Sequence, residues 1–348
     1  MFDTAAFDSH ESVHFVHDED TGLRAVIAIH STALGPAAGG CRMWDYADSM
    51  AMTRDVLRLS QGMSFKNAMA DLPLGGGKAV IWGNAKTDKT PELFRAFGRA
   101  VEGLNGTYWT AEDVGLSPED LAFAREETRY EAGLTDGAAG SGDPSPVTAE
   151  GVFRGIKAAC ASALGAGEMD GRSVAVQGVG HVGAGVVRKL RAEGAKVYIA
   201  DIAAEAIAQL ADETGAIPVN VDDILFQEVD VVSPNALGGI INETTIEKLN
   251  CKIVAGGANN QLHAPEFGEA LFRKGILYAP DYVINGGGII NVAAEISGNY
   301  DRAWVEGKLS TLVGTLSEIF ERSKAEMAST NRIADEMARS RIRAARIG

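Results

Sequence analysis

Apolar positions along the chain change period several times, and each change marks an element. LRAVIAI (Leu23–Ile29) is a continuous apolar run of strand length. Between Ser49 and Met69 apolar residues recur at helical spacing, with Met52, Val56, Leu59 and Met63 in register. AVIW (79–82) is a short strand. Thr90-Pro91-Glu92 predicts a helix start, with a capping hydroxyl and a proline at the first position, where its missing N–H costs nothing. TYWTA (107–111) reads as a strand end, and Ser117-Pro118-Glu119-Asp120 caps the next helix.

From Thr148 onward the rhythm is regular. A helix precedes Met169-Asp170-Gly171-Arg172. Then SVAVQ, KVYIA, AIPVN, VDVVS, KIVAG and ILYAP follow as short apolar strands separated by helical stretches. This predicts a parallel, doubly wound sheet. Beyond Tyr300 a long amphipathic helix carries Leu309, Leu312, Val313, Leu316, Ile319 and Phe320 on one stripe. A final helix, Arg332 to Arg346, is basic on one face. The sharpest compositional break is TDGAAGSGDPSP (Thr135–Pro146), a linker or a loop over a cleft. The expected fold is α/β with two domains: residues 1–135 with the C-terminal helix 328–348, and a Rossmann-like unit over 146–327. Thr135–Thr148 and the region near Tyr300 are candidate hinges.

Composition narrows the class. The chain has 348 residues, enough for about two domains. A formal net charge of -15 repels nucleic acid and anionic membrane, so neither is an expected partner. Cys41, Cys160 and Cys251 lie far apart, with neither a metal-ligand spacing nor a disulfide framework. No metal is expected. The start, MFDTAAFDSHES, is mixed and acidic, unlike a signal peptide, and no stretch reaches membrane-spanning length. The expectation is a soluble cytoplasmic protein.

The clearest chemistry lies in GVGHVG, Gly178 to Gly183, between the strand SVAVQ and the helix AGVVRKLRAEG. Gly178 permits the turn, Gly180 lets the backbone approach a pyrophosphate, and Gly183 allows close helix–strand packing. Val179, His181 and Val182 complete the loop, and the helix start supplies donors and dipole. The next strand ends in Asp201, followed by Ile202. A carboxylate there suits the ribose hydroxyls and repels a 2′-phosphate, and no arginine follows it. The predicted cofactor is NAD.

DLPLGGGKAV (71–80) raises a different possibility. A phosphate loop requires a glycine at position 72 and a hydroxyl after the lysine, but the chain has Leu72 and Ala79. The three glycines instead read as a tight turn clearing space beside Lys78. Burial of a lysine stem there favours the neutral amine and makes it a usable base. Lys66, upstream at the end of a helix, and Asp113 in TAEDVG are the natural companions. From the residues alone each also fits an ordinary surface or turn position.

LGPAAGGCRMW (34–44), MSFKNAMADLPLGGGK (63–78), YWTAEDVG (108–115), IVAGGANNQL (253–262) and APDYVINGGGIIN (279–291) resemble the glutamate/leucine/phenylalanine/valine dehydrogenases, in order over nearly the whole chain. The resemblance is greatest to the shorter leucine–phenylalanine–valine branch. It implies an N-terminal substrate and oligomerisation domain, a Rossmann NAD domain, and an active site in the cleft between them. It further implies oxidative deamination of an L-amino acid to the 2-oxo acid, with release of ammonium and NADH, in a homo-oligomer of two to eight chains. By position, Lys66 binds the substrate carboxylate, helped by backbone donors at Gly39 and Gly40 and flanked by Met63. Lys78 activates water against the iminium intermediate, and Asp113 exchanges protons with the amino group. Thr148, Asn235, Ala236, Ala258, Asn259 and Asn285 belong to motifs around the nicotinamide, and Asn260 to one contacting substrate.

The matching positions of the side-chain pocket are apolar: Ala38, Ala111, Ile289 and Val292. An unpaired substrate carboxylate there would be costly. Branched-chain amino acids are therefore the expected substrates. A small Ala38 leaves phenylalanine as the alternative. A 2-hydroxy-acid dehydrogenase would need a catalytic histidine with a carboxylate, and none of the six histidines has that setting. A non-catalytic NAD sensor would be expected to lack Lys66, Lys78 or Asp113, and all three are present.

Overall fold

The computed structural model describes residues 2–133, 143–298 and 300–347, so positions 135–142 of the expected linker lie outside it. The chain forms two compact units. One comprises Met1–Asp143, Val292–Arg302 and Ala338–Gly348; the other comprises Pro144–Asn291 and Ala303–Met337. This differs from the boundaries read off the sequence in two respects. Residues 292–302 join the first unit, and the returning C-terminal segment begins at Ala338 rather than 328.

The first unit is built on a mixed sheet. Its strands are β1 (Ser12–Asp18), β2 (Leu23–Ser31), β3 (Ala37–Ala38), β4 (Cys41–Trp44), β5 (Gly75–Trp82) and β6 (Tyr108–Trp109), ordered β1-β2-β5-β3-β6 with β4 also on β5. β1, β2 and β5 run antiparallel, whereas β3 and β4 lie parallel to β5. Alternate residues of β2 enter two different cores. Val26 and Ala28 meet Val56 and Leu57 of α1 (Ser49–Met69). Ile27 and Ile29 meet Phe94 and Phe97 of α2 (Pro91–Glu102) and Leu121 of α3 (Pro118–Arg125). Burial on both faces explains why β2 reads as an unbroken apolar run. The two helix starts are capped as the sequence predicts. Thr90 accepts from the Leu93 amide, and Ser117 and Asp120 form a reciprocal capping box.

One reading is corrected. Gly75, Gly76 and Gly77 do not form a turn; they are the first three residues of β5, and all are buried. None has the positive φ of a glycine turn. Neighbouring elements press against the strand there. A Cβ on Gly76 would lie 2.1 Å from the Ser64 amide nitrogen of α1, and one on Gly77 would lie 2.7 Å from the Tyr108 ring.

The second unit carries six parallel strands: β7 (Ser173–Gln177), β8 (Lys196–Ala200), β9 (Ile217–Pro218), β10 (Val229–Pro234), β11 (Cys251–Val254) and β12 (Leu277–Tyr278). Their order, β12-β11-β10-β7-β8-β9, is that of a doubly wound dinucleotide-binding sheet, with β7 and β10 at the topological switch point. The edge strands are shorter than AIPVN and ILYAP suggest, and Pro218 has no N–H to extend a ladder. α4 (Ser145–Leu164) and α5 (His181–Ala192) pack beside the sheet. In α6 (Arg302–Glu326) the buried stripe contains Leu309, Leu312, Leu316, Ile319 and Phe320; Val313 is only half-buried and Thr315 is buried instead. Among the described residues no helix is long and apolar enough to cross a membrane.

Candidate active site

In the first unit, Lys78 stands in the middle of β5, opposite Ala28 of β2, and is 7% exposed. A cation cannot be held in such a place without a partner. Asp113 provides one, its carboxylate forming an ion pair with the Lys78 amine. Asp113 sits just beyond β6, where a single parallel bridge between Cys41 and Glu112 fixes the backbone. Burial tends to raise its carboxyl, but the charge and hydrogen bond of Lys78, then Arg42, outweigh that and hold it below the usual range.

Arg42 on β4 joins this pair to a polar chain. Its Nε lies 3.7 Å from Asp113 Oδ2, and its Nη1 lies 3.1 Å from Asp55 Oδ2 on α1. The Tyr46 hydroxyl donates to the same Asp55 oxygen at 2.7 Å. Sequence reasoning passed over Arg42, although it lies inside the quoted LGPAAGGCRMW stretch, two residues past the glycine pair.

The glycine pair closes over these groups. A Cβ on Gly40 would meet the Glu112 carbonyl at 2.6 Å and Asp113 Cβ at 2.9 Å, so only glycine allows the approach. The Tyr108 hydroxyl donates to the Gly39 carbonyl at 2.6 Å, holding the link between β3 and β4. The expected donor role of Gly39 needs correction. Its N–H is already given to the Trp109 carbonyl at 3.1 Å, continuing the β3–β6 pairing. Met63 packs near Gly39 from α1, and Lys66 lies in the last turn of that helix, half-buried. Ala38 is 1% exposed, between Gly76 and Trp109 in the sheet, whereas Ala111 and Val292 are half-buried.

In the second unit, the loop after β7 has Gly178 at φ +87°, with its N–H donating to the Ala200 carbonyl. Val179 donates its N–H to Asp201 Oδ2 at 2.8 Å, and Ala203 donates to the other carboxylate oxygen. Burial pushes the Asp201 carboxyl up, but these backbone donors prevail and hold it low. α5 opens at His181 without a side-chain cap, and Gly180 faces open space. Ile202 is 93% exposed beside Asp201. An uncapped helix start, a bare glycine and an ionised carboxylate at the next strand end fit a dinucleotide. Across the switch point, Asn235 Oδ1 accepts from Gly257 N–H, and Ala236 crowds Gly178. Asn285 is buried and donates to Asn259 Oδ1 at 2.8 Å, while its own Oδ1 has no partner. Thr148, in the first turn of α4, lies against Gly287 and Gly288. Ala258 is buried; Asn259 and Asn260 are exposed, and Ile289 is half-buried.

A doubly wound sheet with a dinucleotide loop, carried with a second unit holding a buried lysine–carboxylate pair, defines the class: an α/β dehydrogenase. Comparison with known proteins is specific. Residues 10–130 match the family model for the Glu/Leu/Phe/Val dehydrogenase dimerisation domain, and residues 198–346 match that for Glutamate/Leucine/Phenylalanine/Valine dehydrogenase. The chain therefore belongs to the Glu/Leu/Phe/Val dehydrogenase family and is an amino acid dehydrogenase. It is 47% identical to a leucine dehydrogenase of Bacillus subtilis, over 96% of this chain and 91% of that one. It is 46% identical to a phenylalanine dehydrogenase of Caldalkalibacillus thermarum, over 97% and 94%. The crystal structure of L-tryptophan dehydrogenase from Nostoc punctiforme superposes with a TM-score of 0.88 at 41% identity, over 98% of each chain.

Proposed function

We propose that this chain oxidatively deaminates an apolar L-amino acid, branched-chain substrates first, using NAD. The observation that carries the reading is the ion pair of the buried Lys78 with Asp113 beside the Gly39–Gly40 link. Lys66 holds the substrate carboxylate together with the Gly40 backbone. Asp113, ionised at neutral pH, takes a proton from the substrate ammonium, leaving the amine lone pair free to push. Residues 178–183 and Asp201 would hold NAD, which when bound would supply the acceptor for the hydride that leaves Cα. The resulting iminium carbon is attacked by water, and Lys78 removes the proton from that water as the C–O bond forms. Asp113 then returns its proton to nitrogen, the C–N bond breaks with ammonia as the leaving group, and the freed Asp113 carboxylate takes the hydroxyl proton as the C=O bond forms; the ammonia is released as ammonium on protonation.

Lys78 must be neutral at the attack step, so turnover rises with pH through the alkaline range. Asp201 with Ile202 after it, and no arginine, supports NAD over NADP. Of the positions that the resemblance assigns to the substrate's side chain, Ala111, Ile289 and Val292 are each apolar and half-buried in their own unit, which supports an apolar side chain. A second reading, an aromatic substrate, is favoured by the nearly equal identity to the phenylalanine dehydrogenase. The deciding experiment is NADH formation with leucine, valine, isoleucine, phenylalanine, tryptophan and glutamate at alkaline pH. A higher kcat/KM for leucine or valine supports the reading; preference for phenylalanine replaces it with the second; activity confined to glutamate or lactate refutes both.

A further inference from the structure

The first unit holds a second concentration of positive charge, apart from Lys78. A cavity of about 420 Å³ is lined by Arg42, Trp44, Tyr46, Arg54, Asp55 and Arg58. Arg54 and Arg58 lie one turn apart on α1 and present neighbouring guanidinium groups. Both are exposed, and neither side chain makes an ion pair or hydrogen bond among the described residues. Asp55 is the one carboxylate in the lining, and it is already engaged by Tyr46 and Arg42. Arg42 Nε is buried without a hydrogen-bond partner.

Several exposed arginines elsewhere on this chain are paired, among them Arg95 with Glu126, Arg188 with Glu213 and Arg322 with Glu326. With Arg42 already set between Asp55 and Asp113, Arg54 and Arg58 leave two uncompensated guanidinium groups, a local field of the opposite sign to a chain of net charge -15. Arginine forks match the planar, doubly accepting edges of phosphate. Trp44 is 55% exposed in the same lining and offers a flat apolar surface for a base. The volume suits a small ligand and is too small for a folded segment.

We infer that this cavity binds a nucleotide, with its phosphates on Arg54 and Arg58 and its base against Trp44. It is separate from the dinucleotide loop, which lies in the other unit. The lining that makes the assignment was invisible to motif reading, because the residues come from β4, the following turn and one face of α1.

ADP is the probe, titrated calorimetrically into the whole protein with NAD in excess. The expected result is one further equivalent of ADP per chain. The double variant Arg54→Glu/Arg58→Glu changes only exposed helix positions; its fold is checked by circular dichroism, and any ADP bound at the dinucleotide loop is common to both proteins. It should bind ADP at this cavity at least about tenfold more weakly, from the loss of two charge-assisted contacts. Trp44→Leu should erase the preference for ADP over inorganic phosphate. The inference is overturned if no further heat appears up to about 10 mM ADP, or if charge reversal leaves binding unchanged. It is equally overturned if inorganic phosphate binds as tightly as ADP, or if charge reversal alters only the oligomeric state, which would make the cavity a contact between copies. None of these readouts uses amino acid turnover, so they stand or fall apart from the function proposed above.

Discussion

Replacing Asp113 by asparagine tests the centre of the site directly. The substitution keeps size and a hydrogen-bonding group but removes the negative charge that faces Lys78 and, at 3.7 Å, Arg42. Lys78 is 7% exposed, so water cannot take over the carboxylate's role. Removing one member of a buried pair typically costs about 3–5 kcal/mol; the polar amide retained here puts the expectation near ~3 kcal/mol. The asparagine also cannot exchange protons, so kcat/KM should fall by about 10²–10⁴. The pH dependence carries a further signature. A carboxyl held below its ordinary value contributes stability that is present above about pH 4 and is lost as pH falls through the depressed value. That acid-side loss should be smaller in Asp113→Asn. The assay pairs urea unfolding at neutral and acidic pH, followed by tryptophan emission, with NADH formation by the same preparation. A variant within ~1 kcal/mol of wild type that also keeps turnover within about threefold would refute the assignment, since neither the pairing cost nor the proton exchange would then exist.

Other consequences are equally concrete. Tyr108→Phe strands the buried Gly39 carbonyl that the hydroxyl now serves at 2.6 Å; it should cost about 1–3 kcal/mol in unfolding and raise KM for the amino acid more than it lowers kcat. Gly183→Ala would put a Cβ 2.0 Å from the Gly178 carbonyl; overpacking of about 1–3 kcal/mol should weaken NAD binding roughly tenfold, read by NADH fluorescence, with the first unit's unfolding unmoved. His30 is held near 4 by burial and then by the neighbouring His10, against the pull of Asp8. Because its folded value is depressed, its neutral form stabilises the fold above the ordinary value of 6.5, and that stability is lost on acidification towards about 4. Urea midpoints should therefore report a loss of up to ~2 kcal/mol between pH 7 and 5, largely absent in His30→Asn.

Much of this architecture was legible because local pattern and tertiary role agree. β2 is apolar throughout because helices cover both its faces, and α2 and α3 begin where a capping hydroxyl precedes a proline. The GVGHVG loop was legible because its glycines, flanking strand and distant Asp201 each have a separate steric or electrostatic reason. Gly75–Gly77 misled for the converse reason. Glycine marks both turns and places where another backbone must come close, and a side-chain-free strand pressed by Ser64 and Tyr108 has the composition of a loop. Arg42 was illegible because its meaning lies in Asp55 and Asp113, one on a helix and one beyond a later strand. Periodicity registers burial; it does not register which polar ends meet.

Substrate choice is where sequence similarity carries least, for an energetic reason. In the proposed reaction the ion pair, the Gly39–Gly40 link and the dinucleotide loop would serve any amino acid, so they would not separate a leucine enzyme from a phenylalanine enzyme. Near-equal identity to relatives of both kinds, 47% and 46%, is what a shared reaction core predicts. Selectivity falls to the few side chains around the substrate's own, where each methylene is worth only about 1–3 kcal/mol. Ala38, at 1% exposure inside the sheet, can act only by displacing its neighbours Gly76 and Trp109. Ala111, Ile289 and Val292 keep part of their surface open and can be changed without disturbing a strand core. Enlarging Ala111 to leucine should therefore shift the ratio of phenylalanine to valine kcat/KM by about tenfold or more. Enlarging Ala38 should mainly lower stability, because the added volume has nowhere to go in a close-packed layer.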